Sequence, residues 1–299
     1  MAFRGLNRIR KLKRVGKIQY RAKLLPMDHP SVIFGFQEEW NHFLERNPRF
    51  EEVLPRLHNL RSAVFDREFD SAEPIERFVM LYGRMCMEEF FEILLMCGNG
   101  YGIGAQKILR GFWEKAVTLE YLIAHPDEID DFFDYHYIAD FKLFNSVRDI
   151  IGSDALPEPI IAANATDYER VKDRFMIKTC KVCGTKRMNH NWNKLDIVSM
   201  SKQTRLLGKI VNEAYYIPMR HTHSTASSFV MRLENTGAGA LSFNPDPQRR
   251  EADSALRTAY LIVLEILDME VNFYKLDHLR ELLAACEQDW RDTYKRPEA

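Results

Sequence analysis

Met219-Arg220-His221-Thr222-His223-Ser224-Thr225-Ala226-Ser227 places one arginine, two histidines and four hydroxyls side by side, directly after Tyr215-Tyr216-Ile217-Pro218. Imidazoles titrate near neutral pH and transfer protons, and arginine holds anions. Pro218 suits a helix start, and Thr222, Ser224 and Thr225 suit its cap. The stretch therefore reads as a helix N-terminus whose free N–H groups favour anions. His223 is the candidate general acid or base, Arg220 the anion holder and Tyr216 an assistant. Plain capping or surface histidines are the bland alternative.

A second set of chemistry-bearing residues falls on a helix. At ~100° per residue, Arg110 and Glu114 share a stripe with Ile103, Val117 and Tyr121, while Lys107, Gly111, Lys115 and Thr118 form a more polar side. A charged pair on an apolar stripe needs partners, and its i, i+4 spacing allows mutual pairing. Either the pair organises a bundle or it points into a polar pocket with His223. Cys180-Lys181-Val182-Cys183-Gly184 offers half a zinc site, with His190 as a third ligand and His221 or His223 as a distant fourth. A structural zinc site needs four ligands, so free thiols are the default and no cofactor is expected.

Gly98-Asn99-Gly100-Tyr101-Gly102-Ile103-Gly104 resembles a phosphate-cradling loop. It follows a long helix rather than a strand, so its glycines are expected to end one helix and let the next pack closely.

The elements that must position these residues are helical. Apolar residues recur with a helical period over about 75–97, 102–124, the 130s and 140s, 166–177, 201–215, 222–234 and 250–285. Only the Cys180–Asn193 stretch reads as non-helical. The fold class is all-α, a multi-helix bundle with at most a short non-helical knuckle near 178–193. Residues 31–299 form a single helical domain behind a basic arm at 1–30. With 46% hydrophobic residues in 299, a large core is available.

Charge is uneven. Met1 to Met27 holds nine basic and no acidic residues, leaving 33 basic against 43 acidic in the remainder, although the whole chain is near −1. Arg8, Arg10, Lys11, Lys13 and Arg14 are the candidate contacts to RNA or DNA, or to an anionic surface. A solvated tail is the bland reading. Five cysteines without a framework, and no apolar leader, point to a reducing cytosol. No run approaches the ~18–20 apolar residues of a membrane span.

At two of these stretches the chain resembles a large bacterial all-helical family known only as a domain of unknown function. Ile108-Leu109-Arg110-Gly111-Phe112-Trp113-Glu114 is similar to its Leu-Leu-Arg-x-x-x-Glu helix. Asn191-Trp192-Asn193 and the Tyr216–His223 run are similar to its later Trp segment and its Tyr-x-x-x-Ser-x-x-His signature, with Arg220 where serine is usual. The resemblance spans roughly 75–235 and implies that Arg110, Glu114 and His223 share one site. A more distant likeness is to HEPN domains, helical bundles that include ribonucleases with an Arg-x4–6-His motif; here only two residues separate Arg220 from His223. Two expectations follow. The chain is an RNA-cleaving or RNA-binding protein of a bacterial defence or toxin system, working without metal, or it is a non-enzymatic adaptor or sensor that binds another protein.

Overall fold

A computed structural model describes residues 37–178, 183–222, 226–230, 232–235, 241–244 and 246–294. The basic arm, with Arg8, Arg10, Lys11, Lys13 and Arg14, lies outside the described residues, as do Cys180 and His223. The rest is all-α, as its apolar spacing requires. The helices are α1 (Gln37–Arg46), α2 (Phe50–Phe65), α3 (Pro74–Gly98), α4 (Gly102–Ala124), α5 (Ile129–Ile151), α6 (Glu158–Val171), α7 (Ile197–Ser201), α8 (Ile217–Thr222), α9 (Ala226–Val230), α10 (Arg249–Phe273) and α11 (Arg280–Tyr294).

Three long helices, α3, α4 and α10, pack on one another and carry most of the core. Helix α10 is buried on nearly every side, and its alanines at 252, 255 and 259 let neighbouring backbones approach. Trp113, Phe90, Phe112 and Tyr260 fill the space between, each at most 1% exposed. Helices α2 and α11 close the flank through Leu57, Leu60, Leu283 and Cys286.

Pro74 opens α3 at a position where its missing N–H costs nothing. The helix stops at Gly100, whose φ of +75° suits glycine, and the Tyr101 N–H closes back on the Met96 carbonyl at 2.9 Å. Gly102 then lies so close to the start of α10 that a Cβ there would collide with the Gln248 carbonyl. The glycine-rich stretch thus ends one helix and permits a close crossing.

Helices α5 and α6 form a hairpin whose distal core is small, consisting of Ile138, Val171 and Phe175. The loop after it is tied to the main bundle. Asn193 donates to the Tyr121 hydroxyl at 3.1 Å and to Glu128, and the Trp192 ring meets Phe132 and Tyr121 edge-on. Asn193 and Trp192 therefore have a structural task here.

Several expected elements differ. The helix at 166–177 starts earlier, at Glu158, and gives way to a 3-10 turn (Lys172–Phe175) and strand β1 (Met176–Lys178), which pairs antiparallel with β2 (Lys186–Met188). Expected helix 201–215 is only α7 followed by irregular turns. Expected helix 222–234 instead ends in β3 (Leu233–Asn235), paired with β4 (Leu241–Phe243), so a second hairpin exists beyond the anticipated knuckle. Expected helix 250–285 is two helices, divided where Lys275 takes a left-handed φ of 54°.

Candidate functional site

The site residues hang on an irregular helical stretch. From Leu207 the backbone runs as a 3-10 turn to Ile210, a π-helical turn over Asn212–Tyr216, and then α8. The Ile217 N–H reaches back five residues to the Asn212 carbonyl. Pro218 supplies a reason for the wider turn. It has no N–H to return to residue 214, and its ring would crowd that carbonyl in a regular helix. Single π turns recur at functional sites because they reposition side chains.

Here the turn places two tyrosines in succession. The Tyr215 ring lies against Trp113 at 5.3 Å, and Tyr216 meets Tyr215 edge-on at the same centroid distance. Tyr216 is exposed. Trp113 is itself pinned, its indole N–H donating to the Leu207 carbonyl at 3.0 Å.

Arg110 and Glu114 pair as their spacing suggests, with Arg110 Nε donating to Glu114 Oε1 at 3.0 Å. The guanidinium also sits 4.8 Å from the Tyr215 ring centroid and reaches the Tyr215 hydroxyl at 3.5 Å. The pair is half-buried, not sealed in the core. Arg110 therefore fixes Tyr215, and through it the π turn, against α4. A cation over an aromatic face is worth about 0.5–2 kcal/mol and the i, i+4 pair a few tenths more.

The Pro218–His221 part of the cluster is not a helix start, although α9 does begin at Ala226. Pro218, Arg220 and His221 belong to α8 and its last turn, so the free N–H groups expected there are already used. Arg220 is exposed, whereas His221 is only 3% exposed. His221 Nδ1 is buried without a hydrogen-bond partner. Burial lowers the imidazole's proton affinity; Glu251 opposes this, and Arg220 and Lys107 add to it. The neighbouring Gln106 donates to the Glu251 carbonyl at 3.2 Å, yet its Oε1 is buried without a partner. The structure thus assembles His221, Gln106, Lys107, Arg220 and Glu251 from α4, α8 and the first turn of α10. Whether His223 joins Arg110 and Glu114 lies outside the described residues.

Reading the sequence for chemistry passed over His221, Gln106, Lys107 and Glu251 as a group. One signal was present: Ala214, Pro218 and His221 are buried at spacings of four and three, the mark of one continuous helical face. Taking Pro218 as a helix start hid it.

Around the half zinc site, Cys183 is exposed with Sγ 2.9 Å from the Thr185 hydroxyl, and His190 is exposed on the loop after β2. Among the described residues no group of three or more His, Cys, Asp or Glu is placed to hold a metal ion. No described helix is long and apolar enough to cross a membrane.

An all-α bundle whose α4 carries an Arg–Glu pair against a π turn is the class that fold and site define. Residues 77–240, more than half of the chain, match the model of a family of unknown function (DUF5677), and the chain belongs to that family. The match runs from α3 past β3 and leaves α10, with Glu251, outside it. No curated protein and no solved structure matches the chain.

Proposed function

We propose that the face made by α4, the π turn and α8 binds single-stranded RNA. The observation that carries this reading is the pair of exposed cations, Lys107 and Arg220, neither of them engaged in a salt bridge among the described residues, on the face that also presents Tyr216. Cations meet phosphates and an exposed tyrosine stacks on an unpaired base, the combination used for single strands. Arg110 and Tyr215 act as the rigid backing.

His221 gives this face a candidate proton carrier, because a buried imidazole with lowered proton affinity is neutral at pH 7 and able to accept a proton. Cleavage without metal would let the RNA 2′-hydroxyl attack the adjacent phosphorus while its proton passes to a base; the P–O5′ bond breaks, the 5′-oxygen leaves with a proton from a general acid or water, and a 2′,3′-cyclic phosphate remains. Arg8, Arg10, Lys11, Lys13 and Arg14 would extend the backbone contact, and a role in defence or toxin function would follow from RNA damage.

Fluorescence anisotropy with a labelled single-stranded RNA, across a salt series and in EDTA, tests the reading. Lys107→Gln with Arg220→Gln should weaken binding at least about tenfold and flatten the salt dependence. Binding unchanged in that variant would discard the face. Shortened RNA that is lost in His221→Gln, with binding retained, would add cleavage to binding. A second reading, docking to a protein partner, is favoured by Ile150 and Ile151, 84% and 72% exposed at the far end of α5.

A further inference from the structure

On the α10–α11 flank, a groove of about 370 Å³ is lined by Ile210, Glu213, Arg257, Leu261, Trp290 and Tyr294, among others. Its size lies at the small end of the range that holds small-molecule ligands. Its walls are set by the fold: the Trp290 indole N–H donates to the Arg257 carbonyl at 3.2 Å, fixing the ring across the two helices. Tyr294 packs near Trp290 and Tyr260.

The charges are the informative part. Glu213 comes from the π turn and Arg257 from α10, so opposite charges line one groove. They form no salt bridge with each other, and among the described residues neither has another ion-pair or side-chain hydrogen-bond partner. Two unlike charges beside an aromatic wall are complementary to a molecule that carries both charges on an apolar body. We infer that this groove binds a small zwitterion, an α-amino acid with a large apolar side chain. Its carboxylate meets Arg257, its ammonium meets Glu213, and its side chain lies on Trp290 and Leu261. A mononucleotide fits less well, because a dianionic phosphate at Arg257 would face Glu213 as a like charge. The inference does not depend on RNA binding by the α4–α8 face.

Titration calorimetry on the full-length chain tests it, with L-phenylalanine, L-leucine and L-tryptophan as probes. N-acetyl-L-phenylalanine lacks the ammonium and phenethylamine lacks the carboxylate. At least one amino acid should bind, and each single-charge analogue should bind about tenfold or more weakly, since each loses one charged contact. Arg257→Gln and Glu213→Gln should each reproduce that loss, with helical circular dichroism unchanged. The inference is overturned by an absence of heat for all three amino acids at about 10 mM. It is equally overturned if the single-charge analogues bind as well as the zwitterions, or if both variants retain full affinity.

Discussion

The α3–α4–α10 core and the far end of the α5–α6 hairpin are both helical, yet they treat burial in opposite ways. The core places Trp113, Leu109, Ile266 and Leu267 at 0% exposure and even encloses Glu270, whose two carboxylate oxygens have no hydrogen-bond partner. The hairpin has a three-residue cluster of its own away from its turn, and at the turn it leaves Ile150 and Ile151 mostly in water. The larger core should therefore carry most of the stability, and the hairpin turn little of it. An apolar surface that does not support the fold is free to serve recognition.

Core truncation should give the largest effect. Trp113→Ala removes a fully buried ring and its hydrogen bond to Leu207, and should cost about 3–5 kcal/mol in a urea titration. Ile138→Ala, at the centre of the hairpin cluster, should cost less than Trp113→Ala because its half-exposed surroundings can relax. An equal loss at the two positions would erase the distinction between the regions.

Glu270 sharpens it next. Its carboxyl is buried against Gly83, where a Cβ would collide with the carboxylate, and burial raises its pKa well above the ordinary 4.5, with Arg67 opposing. A raised folded pKa means that the neutral acid is the stable buried form. Its contribution is complete below pH about 4.5 and is lost as pH rises toward the folded pKa. Glu270→Gln should remove that loss, so that variant and wild type diverge in stability as pH rises. Parallel profiles would show the carboxyl to be no burden on the core.

His221 predicts the opposite slope. Burial lowers its pKa below the ordinary 6.5, so the unfolded chain takes up the proton first. The stability it allows is present above pH about 6.5 and is lost as pH falls through the folded value. His221→Gln should flatten the profile on that acidic side; an unchanged slope would mean that the imidazole is not held neutral.

The smallest effect is expected at the hairpin end. Ile150→Lys with Ile151→Lys should change the unfolding free energy by no more than about 0.5 kcal/mol. A larger destabilisation would make the exposed pair part of the fold and remove the case for recognition.

The long core helices were legible because their apolar residues repeat with a helical period and Gly100 punctuates them. Helices α1 and α2 went unassigned, although Phe43, Phe50, Val53, Leu57, Leu60 and Val64 have helical spacing; the intervening charges obscure it. The break between α10 and α11 falls at Lys275, a left-handed residue with neither glycine nor proline to announce it. Phe229 and Val230, read as helix, do lie in α9, whereas Leu233 enters β3, a strand of three residues too short to show an alternating pattern. Of the candidate site, the Arg110–Glu114 pairing was legible from its spacing, because both residues lie on one helix. The electrostatic grouping of His221 with Lys107 and Glu251 was not, because it joins three elements far apart in sequence.

The π turn at Asn212–Tyr216 acts as a one-residue insertion in an otherwise continuous helical stretch. Remove one residue from it and everything downstream rotates by ~100° relative to α4. Arg220 would leave the side of Lys107 and His221 would turn out of its buried position, with no substitution at either residue. The chemistry displayed on this face is therefore set by chain length as well as by residue identity. A single-codon deletion within these five residues should change what the face displays without substituting a core residue.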